Sequence, residues 1–293
     1  MILIDYSQVA LSNILSFQRE LKTSDPTEIK NLIRHATIST IKYYKKKYGK
    51  EYGELVICCD GRQYWRREHF AHYKAGRKKS REASDLDWHL IFDTLSEIRQ
   101  DLVDHFPYKV LHVDRAEADD IIASLVYLTD EFGSSVAGQP VMIVSSDKDF
   151  KQLHTFNTVK QWSPMQKKAV VSKHDEIKNQ ILEHIVKGDA GDGIPNILSK
   201  DDCFVTGQRQ TPVSAKRLAE FLEKGFDACR TDEEKRNWQR NVKLVDFHAI
   251  PEDIKQTIWD NYLNISPKGD KQSVMNYLIA NRCRMLLDEL EEF

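Results

Sequence analysis

The chain has 293 residues, 43 Lys and Arg against 45 Asp and Glu, a net charge of −2, and 41% hydrophobic content. That balance excludes an intrinsically disordered chain and leaves room for one large domain or two modest ones with a real core. No apolar run reaches transmembrane length. The first apolar run starts almost at Met1, which leaves no room for a signal peptide. The five cysteines are odd in number and lack CxxC spacing, as expected of reduced, packed thiols in the cytosol.

In chain order, residues 2–5, 55–59, 109–113 and 141–145 are short, continuously apolar, β-rich runs, the pattern of strands buried on both faces. Helices are expected between them at 26–48, 85–106 and 117–128. Strands alternating with helices predict a mostly parallel α/β sheet. After Trp162-Ser163-Pro164 the pattern changes. A short β-like patch at 169–171 leads into a helix at 175–187, and from Gly188 the chain reads helical, with a soft boundary near 185.

Nine carboxylates sit in five clusters at strand ends and helix starts: Asp5; Asp60; Glu117, Asp119 and Asp120; Asp147 and Asp149; Asp189 and Asp192. Singly, each is an ordinary helix cap or turn residue. Ligands of parallel α/β sheets bind outside the carboxyl ends of the strands, where Asp5, Asp60 and Asp147 fall. If the clusters converge, so many negative charges coexist only around bound cations. Helical spacing puts 117 and 120 on one face and 119 elsewhere. All-oxygen ligands favour Mg²⁺ or Mn²⁺ over zinc.

Between Arg62 and Arg81 lie eight Lys or Arg and one acid, Glu68, interleaved with Tyr64, Trp65, Phe70 and Tyr73. The rival reading is a solvated basic face. The ten histidines are scattered without metal-ligand spacing, and Trp88 and Trp162 read as packing residues.

Asp5 in Ile-Asp-Tyr-Ser, Asp60, Glu117-Ala-Asp-Asp120, Ser146-Asp-Lys-Asp149 and Gly188-Asp-x-x-Asp192 resemble the structure-specific 5′-nuclease (flap endonuclease) family over about residues 1–195. Tyr64-Trp-Arg-Arg67, Tyr73-Lys74, Lys160-Gln-Trp-Ser-Pro-Met165 and Leu244-Val-Asp-Phe247 resemble its T-even phage ribonuclease H type. The resemblance implies a PIN-like α/β core at 1–185, a helical arch at about 62–90, and a helical domain at 186–293 with a divergent helix–three-turn–helix. It implies two Mg²⁺, with Mn²⁺ as substitute. One site would use Asp5, Asp60 and the Glu117 cluster. The other would use Asp147, Asp149 and Asp192, with Asp189 close by or acting through water; Asp119 and Asp120 both remain open as the bridge. Lys74 and Arg77 would steady the scissile phosphate and Tyr73 would stack a base. Arg66, Arg67, Lys78, Lys79 and Arg81 would contact nucleic acid, and Lys200, Arg209, Lys216 and Arg217 the duplex. The family's Gly-Ile-Gly-x-Lys hairpin core is absent here, which speaks against a bound K⁺.

The implied activity is that of a 5′→3′ exonuclease and flap endonuclease with ribonuclease H activity, a cytoplasmic monomer of phage replication acting on RNA–DNA hybrid and 5′-flap DNA. The acidic-apolar tail at 288–293 would dock a single-strand-binding protein or sliding clamp, or is a frayed helix end. Two alternatives stand beside this reading. A haloacid-dehalogenase-type phosphatase needs Asp-x-Asp at the first strand, where this chain has Asp5-Tyr-Ser. A non-catalytic DNA-structure-binding accessory module would not need all nine acids.

Overall fold

Six strands form one sheet in the order β3–β2–β1–β4–β5–β6. They are β1 (Ile2–Asp5), β2 (Leu55–Cys59), β3 (Lys109–His112), β4 (Val141–Val144), β5 (Val159–Ser163) and β6 (Lys168–Val170). The computed structural model describes residues 1–293, apart from the side chain of Ser80. All neighbouring strands pair in parallel except β5 and β6, which close an antiparallel edge. The four continuously apolar runs are therefore β1 to β4, with β2, β1 and β4 inside the sheet and β3 at its parallel edge. β5 was not legible as a strand because it alternates, with Lys160 exposed and Val159, Gln161 and Ser163 buried.

Fourteen α-helices surround the sheet among the described residues. From the N-terminus they are α1 (Tyr6–Ile14), α2 (Gln18–Thr23), α3 (Pro26–Tyr52), α4 (Trp65–His69), α5 (Gly76–Glu82), α6 (Trp88–His105) and α7 (Ala118–Asp130). Then follow α8 (His174–Lys187), α9 (Cys203–Thr206), α10 (Ala215–Lys224), α11 (Asp232–Val245), α12 (Glu252–Asn264), α13 (Lys271–Ala280) and α14 (Arg284–Leu287). Local chemistry sets their ends. Asp25 caps α3 by accepting from the Thr27 and Glu28 amides, with Pro26 in the first turn. The helix runs on to Tyr52 and stops at Gly53, whose φ is +83°. Asp87 caps α6 by accepting from Leu90 N at 2.9 Å, so that helix starts at Trp88 rather than 85. The stretch expected as an arch, about 62–90, contains two short helices, α4 and α5, and α5 is followed by non-helical residues 83–87.

Alternate residues of each strand feed two cores. Ile2, Ile4, Ile57, Cys59 and Val144 pack with α1, α3, α6 and α13. Leu3, Val56, Cys58, Val141 and Ile143 pack with α7 and α12 on the other face. A third core joins Phe70 and Tyr73 to Ile185, Val186, Ile197, Phe221, Trp238 and Val245. The anticipated boundary near 185 thus falls inside α8, and α12 and α13 return to cover both faces of the sheet. No helix among the described residues is long and apolar enough to cross a membrane.

The C-terminal tail is not a frayed end. Glu289 pairs with Lys42 and Glu291 with Lys271, Glu292 lies 3.0 Å from Lys46, and the Phe293 ring sits 5.7 Å from that of Phe106. The approach to α13 crosses the end of α6 so closely that a Cβ on Gly269 would lie 2.1 Å from the His105 carbonyl carbon. Gly269→Ala is therefore expected to cost about 1–3 kcal/mol. Urea unfolding checks this, and an unchanged midpoint would show that the two segments can part freely.

Candidate active site

Parallel pairing aligns Asp5 at the end of β1 with Cys58, two residues before Asp60, and Asp147 lies three residues beyond the end of β4. The three strands β2, β1 and β4 thus release carboxylates at one edge. Gly61 makes the close turn after Asp60 possible: its amide donates to Ala116 O at 2.8 Å, and a Cβ there would fall 2.7 Å from Val113 O. Asp60 Oδ1 in turn accepts from Ala118 N at 3.1 Å, which brings the start of α7 to the same edge.

Burial and mutual repulsion act on these acids. Asp5 is 6% exposed, and its pKa is pushed up to about 7 by burial and then by the Asp60 charge, against hydrogen bonds from Gln8 N and Ser145 Oγ. Asp147 is lifted to about 6 by burial and then by Asp149, with Asp192 adding to it. Asp119 rises well above the usual carboxylate range through burial, Asp147 and Asp5. It is Asp119, not Asp120, that senses Asp5 and Asp147, so the expected helical face was the wrong one. Glu117 is the N-cap of α7 rather than part of its regular turns, which removes the reason for pairing 117 with 120 on the open face.

Asp120 is fully buried on the other side. Its Oδ2 accepts from Glu117 N at 2.9 Å, Trp65 Nε1 at 3.1 Å and Arg66 Nη1 at 3.0 Å, completing a capping box. Arg66, expected at a phosphate, is 2% exposed; it also binds Glu117 Oε2 at 2.9 Å and Leu244 O at 3.0 Å. Tyr73, expected to stack a base, is 3% exposed, and its hydroxyl lies 3.0 Å from Glu117 Oε2 and 3.3 Å from Asp192 Oδ2. Both departures have one cause: aromatic and cationic side chains that look like nucleic-acid contacts in sequence are consumed by buried carboxylates.

Lys74 and Arg77 do reach the acidic edge. Lys74 pairs with Glu117 and lies 3.6 Å from Asp192, while Arg77 Nη2 is 2.6 Å from Asp192 Oδ1. For Glu117, burial would raise the pKa, but Lys74 and Arg66 outweigh it and lower it. Lys74 sits at φ +56°, in the left-handed region, and its amide donates to Asp192 O at 2.7 Å. The segment from Tyr73 to Arg77 is thereby tied to the Gly188–Asp192 loop. Gly188 has φ +65°, and a Cβ there would meet Ile194 O at 2.2 Å.

Asp189 lies at the rim. Its Oδ1 accepts from Gly191 N at 2.8 Å and Asp192 N at 3.2 Å, and its Oδ2 contacts Lys148 at 2.8 Å and His184 at 3.2 Å. His184, which nothing in the sequence singled out, also stands 3.2 Å from Asp149 Oδ1. Its burial opposes its charge, but the two carboxylates prevail and lift its pKa to about 9. Hydrogen bonding from His184 holds Asp189 well below the usual range, against its burial.

Arg67, Lys78 and Lys79 are exposed along the basic stretch, and Arg81 covers the Phe92 ring at 5.4 Å. Lys200, Arg209 and Lys216 are exposed as well. Arg217 is not: it is buried against Glu220 at 2.8 Å and Glu234 at 2.6 Å.

Among the described residues no group of three or more His, Cys, Asp or Glu is set to hold a metal ion as it stands. The donor set nevertheless suits hard divalent cations. Asp5, Asp60, Asp119 and Asp147 offer only oxygen; after burial, the Asp60 and Asp147 charges raise the pKa of Asp5, and those of Asp147 and Asp5 raise that of Asp119, a repulsion that a cation relieves. Such an ion would compete with Lys74 and Arg77 for Glu117 and Asp192.

The chain matches the 5′–3′ exonuclease N-terminal resolvase-like domain family over residues 1–182 and the T4 RNase H C-terminal family over residues 175–293. It is 33% identical over 301 residues to ribonuclease H of Enterobacteria phage T4, covering 99% of this chain and 95% of that protein. It is 28% identical over 195 residues to flap endonuclease Xni of Shewanella piezotolerans, covering 62% and 68%. A bacteriophage T5 flap endonuclease variant, solved as a pseudo-enzyme–product complex with DNA and metal ions, superposes with a TM-score of 0.64 at 18% identity, covering 89% and 97%. That last likeness shows the shared fold.

Two measurements test the site's energetics. Arg66→Met leaves Glu117 and Asp120 short of their buried cation and should cost about 3–5 kcal/mol in urea unfolding; a phosphate-contacting arginine would cost almost nothing. Asp147 binds its proton more tightly folded than unfolded, so its contribution to stability is full below about pH 4 and lost as pH rises through about 6. Asp147→Asn in EDTA at pH 8 should therefore gain about 1–3 kcal/mol and raise the thermal midpoint by a few degrees. A lowered midpoint would contradict the repulsion.

Proposed function

Because the chain belongs to the 5′–3′ exonuclease family, with a C-terminal region of the T4 RNase H type, we propose that it is a phage replication 5′-nuclease. It hydrolyses phosphodiesters at the 5′ ends of RNA–DNA hybrid and of DNA flaps, removing RNA primers and adjacent DNA in the host cytoplasm. The observation that carries this reading is the gathering of Asp5, Asp60, Asp119 and Asp147 at one sheet edge, next to the Lys74 and Arg77 cations.

Asp5, Asp60, Glu117 and Asp119 would hold one divalent ion, and Asp147, Asp149 and Asp192 a second, with Mg²⁺ the natural occupant and Mn²⁺ a substitute. When bound, the ions supply an activated water and stabilise the leaving oxygen in an in-line displacement. The chain's own residues do the rest. Lys74 and Arg77 leave Glu117 and Asp192 for the non-bridging oxygens of the scissile phosphate, where they offset the developing charge. Tyr73 keeps Glu117 and Asp192 in place through its hydroxyl. Asp120 and Arg66 hold Glu117 from behind and touch no substrate. The exposed Arg67, Lys78 and Lys79, with Lys200, Arg209 and Lys216, provide backbone contacts, a sequence-independent attraction suited to a structure-specific enzyme.

The test is one assay on 5′-labelled RNA–DNA hybrid, nicked duplex and 5′-flap DNA, each with Mg²⁺ or EDTA. Cleavage from the 5′ end is expected only with Mg²⁺. Asp147→Asn should lose at least about 10²–10³-fold in rate while still binding the 5′ flap. Wild-type turnover in that variant, or turnover in EDTA, would remove the assignment. Absence of turnover on all three substrates would instead favour a non-catalytic DNA-structure-binding module.

A further inference from the structure

His184 lies outside every motif that points to nuclease chemistry, yet it touches two of the nine carboxylates. It sits in the last turn of α8, and its side chain is 14% exposed. One ring nitrogen, Nδ1, is 3.2 Å from Asp149 Oδ1; the other, Nε2, is 3.2 Å from Asp189 Oδ2. These acids come from separate parts of the chain. Asp149 opens the 3₁₀ segment Asp149–Thr155 that follows β4 and Asp147. Asp189 begins the loop after α8, and its other oxygen accepts the Gly191 and Asp192 amides.

We propose that His184 is the positioning residue of the second divalent-ion half-site. Its imidazole fixes Asp149 against Asp189, and Asp189 in turn holds the loop that presents Asp192. A ring with two nitrogens on opposite sides and two rotatable bonds can meet two carboxylates at once at small entropic cost. Lys148 also bridges to Asp189, at 2.8 Å, but its side chain is 62% exposed. An exposed, flexible lysine contributes little rigidity. The His184 backbone adds to the arrangement, because its carbonyl accepts the Gly188 amide at 2.8 Å and so closes α8 where the loop begins. Residues that orient metal-ligating carboxylates without touching the ion commonly govern affinity by about 10–100-fold.

This inference rests on the reading of Asp147, Asp149 and Asp192 as ion ligands, and the test separates the two. The full chain, wild type, His184→Ala and His184→Gln, is titrated with Mn²⁺, and free Mn²⁺ is followed by its paramagnetic resonance signal. Wild type should take up two ions. His184→Ala should lose about 10–100-fold in affinity for one of them and keep the other. His184→Gln, whose amide nitrogen carries two donors, should recover most of the loss; it also serves as the test protein if the alanine variant does not fold. Unchanged uptake of both ions by His184→Ala, or by His184→Gln together with an unfolded alanine variant, overturns the positioning role and leaves the nuclease reading intact. Equal weakening at both ions marks His184 as merely structural and also overturns it. No uptake by wild type removes the half-site itself, and this inference with it.

Discussion

Arg66 is the cation around which the acidic edge is built. It is buried beneath the start of α7, and one guanidinium serves Glu117, Asp120 and the Leu244 carbonyl of α11. Without it Asp120 would lose its ion pair and Glu117 would keep only Lys74, in a space that excludes water. With it, Glu117 is held as an anion, Asp120 completes the capping box, and the third core is joined to the sheet. The placement of the segment before α5 then follows, since Tyr73 and Lys74 both reach for Glu117.

The site is therefore layered. Behind lie Glu117 and Asp120, each paired with Arg66 and each with identifiable donors. In front lie Asp5, Asp119 and Asp147, which are crowded and whose protons are held more tightly than those of free carboxylates. Folding concentrates repulsion among Asp5, Asp119 and Asp147 and neutralises it behind them. The fold tolerates this because the strands behind the acids are among its most buried segments: Ile2, Leu3, Ile4, Val56, Ile57, Cys58, Ile143 and Val144 are all 0% exposed.

The rim follows a different rule. Asp189 spends one oxygen on two loop amides and the other on Lys148 and His184. It acts on its neighbours by shaping the loop that presents Asp192. The same loop receives the Lys74 amide, so the segment before α5 and the loop are joined by a short backbone contact as well as by charge.

The sequence by itself determined the parallel core. Unbroken apolar runs need burial on both faces, and parallel strands put their terminal acids at one edge, so β1, β2, β3, β4 and the meeting of Asp5, Asp60 and Asp147 were legible from pattern alone. The family was legible too, from the order and spacing of the five acidic clusters. Only the tertiary structure decided which side each side chain serves. Asp119 faces the acidic edge and Asp120 the interior because Glu117 caps the helix and Asp120 closes the box, a choice that helical periodicity does not contain. Arg66, Tyr73 and Arg217 look in sequence like contacts for nucleic acid, and each is instead committed to buried or half-buried carboxylates from elsewhere in the chain. His184 carried no local signal at all, since its two partners lie 35 residues before it and five after it. A residue's charge is written in the sequence; the partner that uses that charge is set by long-range packing, because burial makes leaving it unpaired too costly.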